Sequence, residues 1–349
     1  MGARRARLAS AKRRAVPRQC YYEPVLRTPL LVLSSLAVLG TVSAQDAPAP
    51  QKPAELDVVY GQSTDGKLKV AARLIQQKWD PSDPRPTCKV FHQVYAPDGT
   101  LLTKGLGGQF EHHRGLFVGW NRTLCNGKSF DFWHCNRGER QTFGGTVSPS
   151  LLSMGKLAQV AFLHWVAPDG EAVIHELRGL EVVAHEEQQY VLHMRVQCRA
   201  LASDVQLTGD PQHAGQQFRA LQQFAKKDAK PVLYLRPPGA KKHGNDVWTK
   251  CDWIAGVLRL PVATYTVLRI ESPHNPGKTR WSTRPYGRFG ATRKVKILKG
   301  EAMRIDQIYV IANGARDGKW CADQAAKWRK WQGLAPDKQK KRNVQKGGE

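Results

Sequence analysis

The chain has 349 residues, 54 of them Lys or Arg against 29 Asp or Glu, and 41% of its residues are hydrophobic. This length and apolar content exclude a peptide toxin and a disordered chain. The formal charge of +25 would suit a nucleic-acid-binding protein, but it is unevenly distributed. Residues 1–44 hold eight basic residues and one acid, residues 319–349 hold nine and three, and residues 45–318 therefore carry +12.

The N-terminal 44 residues have the features of an export signal. A basic segment precedes an apolar run over residues 29–42, and Val42-Ser43-Ala44 is a small-residue cleavage site before Gln45. The apolar run is shorter than the roughly 20 residues of a membrane span. We therefore predict cleavage after residue 44, a periplasmic or extracellular protein, and no membrane span after cleavage. Residues 45–56 (Pro/Ala-rich) are predicted to be a linker.

Six cysteines remain after the predicted cleavage: Cys88, Cys125, Cys135, Cys198, Cys251 and Cys321. An even number in an oxidising compartment permits up to three disulfides, whose connectivity the sequence leaves open. Cys125 and Cys135 flank one short segment and are the favoured pair.

From residue 57 onward, short apolar and β-branched runs alternate with Gly, Pro and Asp, a pattern that predicts strands. Pro-Asp-Gly turns at 96–99 and 167–170 predict two hairpins, which join 88–95 to 100–103 and 158–166 to 172–181. Further strands are predicted at residues 181–185, 189–197, 216–223, 231–235, 253–260, 265–271, 288–298 and 302–311. Because the order shows no βαβ rhythm, we predict an all-β domain over residues 57–318 with the architecture of a large antiparallel β-sandwich.

The C-terminal region, residues 319–349, has a different pattern. Residues 319–334 are predicted to form a short helix with Trp320, Trp328 and Trp331 partly on one side. The basic residues that follow are predicted to be a solvated tail rather than a binding arm.

Three polar and aromatic clusters fall between predicted strands. The first, residues 105–139, contains Glu111, His112, His113, Arg114, Asp131, Trp133, His134 and Glu139, with residues 131–134 expected on a strand. The second, residues 209–219, contains His213 and Arg219. The third, residues 272–287, contains His274, Asn275, Trp281, Arg284 and Tyr286. Loops at the rim of a rigid sandwich are where binding groups usually lie.

The residue types in these clusters suit acid–base chemistry on a hydroxylated ligand. We predict that an imidazole of His112, His113 or His134 is the general acid or base, with Glu111 or Glu139 as its partner. Arginine can hold hydroxyl or acidic groups in its fork, and Trp can offer its face to a sugar ring. The predicted substrate-binding residues are Arg114, Trp133, His213, Arg219, His274, Asn275, Trp281, Arg284 and Tyr286.

Two alternatives stay open at this point. Adjacent residues on a strand point to opposite faces, so one of His112 and His113 would be structural. Histidines can also ligate a metal, but no ligand pair at a fixed short spacing supports it, and we predict neither a metal nor a cofactor.

Four ordered motifs resemble a known family: 111–117 (EHHRGLF), 131–134 (DFWH), 213–219 (HAGQQFR) and 272–276 (SPHNP), the last leading to Trp281 and to Tyr286-Gly287. They are similar to those of exported bacterial proteins of unknown function, often of planctomycete type, that carry the label methane oxygenase PmoA-like. The resemblance covers about residues 57–315. With His and Arg at its rim, such a sandwich is also similar to the galactose mutarotase and aldose epimerase type of fold.

We therefore expect an exported carbohydrate-active enzyme of the epimerase, hydrolase or lyase type, whose partner is a carbohydrate. One alternative is a non-catalytic binding module for acidic glycans that uses the +12 domain as an electrostatic surface. Another is a His-ligated metal protein. Nucleic acid is not an expected partner, because the chain has an export signal and no recognisable nucleic-acid-binding motif. The sequence leaves the oligomeric state open.

Overall fold

The computed structural model of the chain describes residues 56–62 and 68–333. The predicted signal segment 1–44, the linker up to residue 55 and the tail after residue 333 lie outside the described residues. The described part consists of three antiparallel sheets and two α-helices, the one-turn α1 (Pro84–Thr87) and the longer α2 (Gly318–Trp331).

The largest sheet has nine strands. In spatial order they are β1 (Asp57–Gln62), β2 (Leu68–Ile75), β3 (Phe91–Val94), β4 (Leu116–Trp120), β12 (Ala214–Arg219), β19 (Arg288–Thr292), β18 (Arg280–Arg284), β15 (Val247–Thr249) and β14 (Lys241–His243). Its centre brings together strands that are far apart in the chain, since β4 pairs with β12 and β12 pairs with β19.

The second sheet has eight strands, most of them joined by hairpins. In spatial order they are β13 (Leu233–Leu235), β16 (Trp253–Arg259), β17 (Thr264–Glu271), β21 (Ala302–Asn313), β10 (Gln189–Ala200), β9 (Ala172–Glu186), β8 (Gln159–Val166) and β7 (Arg140–Thr146). A smaller sheet contains β20 (Val295–Ile297), β11 (Val205–Leu207), β5 (Thr123–Cys125) and β6 (Lys128–Phe130).

The inner faces of the two large sheets share one hydrophobic core. The rings of Trp120 on β4 and Trp165 on β8 lie 6.1 Å apart, and both are fully buried. The hydroxyl of Tyr190 on β10 donates to the carbonyl of Ala71 on β2 at 3.1 Å. The predictions of an all-β antiparallel sandwich and of a short C-terminal helix are confirmed.

The helix α2 (Gly318–Trp331) covers the outer face of the eight-stranded sheet. Asp317 caps its N-terminus by accepting from the N–H of Trp320 at 2.8 Å. Trp328 and Ala325 pack against Ile308 of β21 and its neighbours. Because this face is covered, β16 is buried on both sides over almost its whole length and does not alternate. None of the helices in residues 56–62 and 68–333 is both long and apolar enough to span a bilayer.

Several predicted strands differ in their ends. The predicted strand at 100–103 forms only isolated bridges, and that at 216–223 ends at Arg219, before a short 3-10 turn at Gln222–Ala225. The predicted strand at 288–298 breaks at Arg293-Lys294, since β19 joins the nine-stranded sheet and β20 the small one. Residues 131–134 form a turn and not a strand. For the predicted strands at 216–223 and 288–298, the strand ends are decided by pairing with strands distant in the chain, which local propensity does not reflect.

The favoured cysteine pair is not the one that the fold brings together. Cys125 lies in β5, and its Sγ is 3.1 Å from the hydroxyl of Ser203. The thiol of Cys135 instead contacts that of Cys88, and this hydrogen bond, with the nearby Arg114, lowers the pKa of Cys88. All six predicted mature-chain cysteines are free thiols in this structure.

Candidate functional site

The site lies on the face of the nine-stranded sheet that points away from the core. Along β4, Leu116, Val118 and Trp120 point into the core. Phe117 and Gly119 alternate with them and lie on the outward face. A Cβ at Gly119 would lie 2.4 Å from the carbonyl oxygen of Phe132. Glycine therefore lets the turn at residues 131–134 lie directly on the strand.

Glu139 shapes this turn from inside the protein. Its carboxylate is fully buried and accepts from the backbone N–H groups of Asp131 and Arg137, each at 3.0 Å. The guanidinium of Arg137 also pairs with it at 2.7 Å. The predicted catalytic partner Glu139 thus has its oxygens occupied by the turn that carries His134.

Four histidines from three separate loops meet over this sheet. The ring centroids of His112 and His113 lie 4.2 Å apart, and those of His112 and His134 lie 4.6 Å apart. The ring of His134 lies 5.1 Å from that of His213, which precedes β12. The sequence placed these residues up to about 100 positions apart, and the fold puts their rings in a continuous row, which we call the histidine row.

Two of the rings are oriented by aspartates three residues earlier in the chain. His134 Nδ1 lies 2.7 Å from Asp131 Oδ2, and His213 Nδ1 lies 3.0 Å from Asp210 Oδ2. Burial raises the pKa of both carboxyls, but the hydrogen bonds from the histidines and from nearby N–H groups outweigh it and hold each pKa below its usual value.

An ionised carboxylate only accepts hydrogen bonds, so Nδ1 of each ring carries a proton, and Nε2 is the nitrogen that can gain or lose one. Within residues 56–62 and 68–333, neither His134 Nε2 nor His213 Nε2 has a hydrogen-bond partner. The two Asp-oriented imidazoles therefore lie side by side, each with an Nε2 that no described residue engages in a hydrogen bond.

His112 and His113 stay neutral. Burial, followed by the positive charge of Lys89, lowers the pKa of His112 to about 2. Burial and the charge of Arg288 depress the pKa of His113 further below its usual value. The ammonium of Lys89 is itself buried and donates to the carbonyl oxygens of His112, at 2.9 Å, and Trp133. Lys89 thus fixes the backbone of two of the loops and adds positive charge beneath them.

The outward side chains of the sheet form a polar floor under the row. The fully buried guanidinium of Arg288 donates to Gln217 Oε1 at 3.0 Å, to the Ser282 hydroxyl at 2.9 Å and to Gln212 Oε1 at 2.5 Å. Arg219, also fully buried, lies 4.8 Å from the centre of the Tyr286 ring. These arginines supply positive charge at the floor, although most of their N–H groups already donate hydrogen bonds to other residues of the chain.

The exposed aromatic surface beside the row differs from the one the sequence suggested. Trp133 is fully buried over Phe117, so it offers no ring face to solvent. Phe110 is exposed and stacks on Tyr286 with ring centroids 4.7 Å apart, and His113 lies 6.1 Å from the same tyrosine. The available aromatic surface is thus Phe110 with the half-buried Tyr286.

Arg114 and Glu111 are neighbours of the row in the chain, but neither side chain forms a hydrogen bond to its histidine rings. The Arg114 guanidinium donates to the backbone carbonyls of Glu111, at 3.0 Å, and of Pro86, at 3.1 Å, which uses it as a loop brace. The Glu111 side chain is exposed and makes no hydrogen bond within the described residues.

The third predicted cluster is divided by the sheet. Tyr286 joins the row, and Arg284 lies at the margin, where it donates to Asn245 O at 3.2 Å. Trp281 points inward into the core and donates to the carbonyl of Cys251 at 2.7 Å.

His274 and Asn275 lie at a different place from the row. His274 lines a cavity of about 700 Å³ together with His193, Asp306 and Trp331. Asn275 Nδ2 donates to Glu271 at 2.6 Å. A further cavity of about 530 Å³ lies beside Cys135, and the rings of the histidine row line neither of these two cavities.

Sequence reasoning missed five residues of the site: Phe110, Asp131 as an orienting group, Asp210, Gln217 and Arg288. A usable signal was present for two of them, because Asp-x-x-His occurs at both Asp131–His134 and Asp210–His213. Arg288 and Gln217 belong to the site only because their strands are neighbours, which the sequence did not reveal. Among the residues that the structure describes, no group of three or more His, Cys, Asp or Glu is arranged to hold a metal ion.

These features define an antiparallel β-sandwich protein with a cluster of Asp-oriented histidines on the outer face of one sheet. The sequence profile of the family of unknown function DUF6807 matches residues 69–327, and the chain belongs to that family. No curated protein matches the sequence significantly.

Proposed function

We propose that this protein is an exported carbohydrate-active enzyme that moves protons on a hydroxylated substrate with the pair His134 and His213. The observation that carries this proposal is their geometry: rings 5.1 Å apart, each with Nδ1 bound to an aspartate. When one imidazole is protonated and the other neutral, the pair supplies a general acid and a general base at one place.

The same geometry favours epimerisation or elimination over hydrolysis of a glycosidic bond. Glycoside hydrolysis commonly uses two carboxyl groups that face the scissile bond. Here Asp131 and Asp210 are engaged by histidines and Glu139 is buried under the turn. Abstraction of a carbon-bound proton by one imidazole and donation by the other is the chemistry that the histidine row supports best.

Substrate binding in this proposal uses the exposed aromatic surface and the cationic floor. Phe110 and Tyr286 would contact the ring of the saccharide. Arg219 beside Tyr286 and Arg288 beside Trp133 favour a substrate or intermediate with negative charge. His112, held neutral, would donate or accept a hydrogen bond without titrating near neutral pH. The predicted cleavage before Gln45 is what makes the proposed enzyme an exported one. Neither this cleavage nor the resemblance to the PmoA-like proteins indicates which reaction the enzyme catalyses.

Turnover of a panel of neutral and acidic saccharides in D₂O tests the proposal, with NMR to follow deuterium incorporation and a reducing-end assay to follow bond cleavage. We expect incorporation by the wild-type protein and a loss of about 100-fold or more in His134→Gln and His213→Gln, the usual effect of removing a general acid or base. His164→Gln, on β8 of the other sheet, is the matched control and should retain activity.

Two outcomes contradict the enzyme. Saccharide binding without exchange or cleavage in the wild-type protein would establish a glycan-binding module instead. Equal activity in His134→Gln and His164→Gln would show that the histidine pair takes no part in catalysis.

A further inference from the structure

A second feature lies beside the histidine row, at the loop that also carries His213. A cavity of about 290 Å³ is lined by Gly209, Pro211, Lys278, Arg280, Thr292, Arg293 and Lys294. Four of these seven residues are basic and none is acidic. We call it the basic cavity.

The basic cavity exists because the chain leaves one sheet for another at this point. β19 ends at Thr292 and β20 begins at Val295, so Arg293 and Lys294 bridge the nine-stranded and the small sheet. The loop before β18 approaches closely, since a Cβ at Gly277 would lie 2.8 Å from the carbonyl oxygen of Lys294. The cationic side chains of two segments are thereby brought to one opening.

Two residues that line the cavity carry buried donors with spare hydrogen-bonding capacity. Arg293 is 3% exposed, and its Nη1 has no partner within residues 56–62 and 68–333. The hydroxyl of Thr292, also 3% exposed, has no partner there either. An unpaired buried polar group costs about 1–3 kcal/mol, so an oxyanion that reaches either group relieves that cost.

Two acids near the cavity, Glu271 and Asp210, are held by hydrogen bonds within the protein and do not line it. Glu271 pairs with Nη2 of Arg293 and also accepts from Asn275. Asp210 lies between the two lining residues Gly209 and Pro211, but its carboxylate is bonded to His213 and to Asn121. Glu271 offsets the charge of Arg293, so the excess positive charge of the cavity comes from the exposed Lys278, Arg280 and Lys294.

We propose that the basic cavity binds a tetrahedral oxyanion, carried as a sulfate or phosphate ester on the saccharide substrate of the histidine row. A tetrahedral oxyanion presents three free acceptor oxygens, which suits a hydroxyl and several cationic donors better than the two oxygens of a carboxylate do. The inference rests on the proposed function for its saccharide, because Gly209–His213 is the loop shared by the two places. The oxyanion site itself depends only on the lining of the cavity.

Isothermal titration with sodium sulfate and sodium phosphate at low ionic strength, with sodium chloride as reference, tests the site. A second arm compares glucose 6-sulfate with glucose. We expect both oxyanions to bind and the sulfated sugar to bind at least tenfold more tightly than glucose. In Arg280→Gln/Lys294→Gln the affinity for sulfate and for the sulfated sugar should fall at least tenfold.

The double variant Lys156→Gln/Lys227→Gln is the matched control, since it removes the same charge from exposed positions outside the cavity. It should retain wild-type affinity. An equal loss in both double variants, or no sulfate binding by the wild-type protein, overturns the site. Binding of the free ions without a preference for the sulfated sugar overturns the assignment to a substrate ester.

Failure of the enzyme proposal is distinguishable from failure of this one. His134→Gln should bind sulfate as the wild-type protein does, whatever its activity. Oxyanion binding without turnover would leave the basic cavity in place and contradict only the proposed reaction. Turnover of neutral and sulfated sugars with equal efficiency would leave the histidine pair in place and contradict the assignment of the cavity to an ester of the substrate.

Discussion

His92 carries no charge in the folded protein at neutral pH. It is fully buried on β3, with Nε2 3.2 Å from Gln159 Oε1 and Nδ1 unpaired within the described residues. Burial, with the charge of Arg178, lowers the pKa of His92 to about 3. In the unfolded chain the pKa is about 6.5, so below that pH the unfolded state takes up the proton first. Stability is therefore lost as the pH falls from about 6.5 toward 3.

We predict that His92→Gln weakens this acid sensitivity. Between pH 7 and pH 5, His92 should lower the free energy of unfolding by about 2 kcal/mol, because its pKa is about 3 in the folded state and about 6.5 in the unfolded chain. Urea unfolding at the two pH values should show a correspondingly smaller drop in the variant. Gln159→Leu, which removes the hydrogen bond and no titratable group, should lose similar stability at both. Identical drops in the wild-type protein and His92→Gln would contradict the prediction.

At the residue scale, the sequence identified the residue types of the site but not the side chains of this chain that contact them. His112, His113, His134 and His213 were all marked by their polar and aromatic surroundings, and the fold brings their rings together. The assumed carboxylate partners Glu111 and Glu139 are not in contact with these rings, because one is exposed and the other lies under the turn.

Among the elements, β12 is the strand that joins the two halves of the site, since His213 precedes it and Arg219 ends it. Its second residue, Gly215, has φ of +86°, and a Cβ there would lie 2.0 Å from the carbonyl oxygen of Ala291 on β19. Only glycine allows β12 and β19 to approach this closely while the backbone has a positive φ.

We predict that Gly215→Ala destabilises the protein by about 3 kcal/mol or more, through backbone strain plus the clash with β19. Gly127→Ala is the matched control, because Gly127 has φ of +71° but nothing within 4 Å of a Cβ. Strain alone should cost about 1 kcal/mol there. Thermal and urea unfolding measure the stability of both variants. Equal losses of stability would show that the close contact between β12 and β19 does not contribute to the effect of Gly215→Ala.

The pattern of strands was predictable wherever neighbours in the chain are neighbours in the sheet. The Pro-Asp-Gly turn at 167–170 does join two paired strands, β8 and β9, and β9 continues into β10 through the next hairpin. The break between β19 and β20 was not predictable from local propensity, because it follows from pairing with β12 on one side and with β11 on the other.

For the molecule as a whole, a buried ion pair joins the two large sheets. Arg178 and Glu176 on β9 are both fully buried and lie 2.6 Å apart. Arg178 Nη1 also donates to the carbonyl of Val90, beside β3 of the other sheet, at 2.8 Å, and Trp165 Nε1 donates to Glu176 at 2.7 Å. Removing one member leaves an uncompensated charge in the core.

We predict that Arg178→Met lowers the free energy of unfolding by about 3–5 kcal/mol, the usual cost of breaking a buried pair. Glu176→Leu/Arg178→Met should recover at least half of that loss, because no lone charge remains and the core gains apolar volume. Urea unfolding of the single and double variants measures the coupling. Additive losses in the double variant would contradict the role assigned to the pair.

The sequence by itself determined the class of fold, the positions of most strands, the C-terminal helix and the loops that carry the histidine row. These follow from local periodicity, turn residues and capping, which act over a few positions of the chain. The tertiary structure decided which strands are neighbours and which face of each points outward. Alternation shows that Trp281 and Ser282 point to opposite faces, but only the packing of the two sheets buries the first and places the second beside Arg288. Long-range strand pairing is also what separates His274 from the row and what brings Lys278 and Lys294 to one cavity.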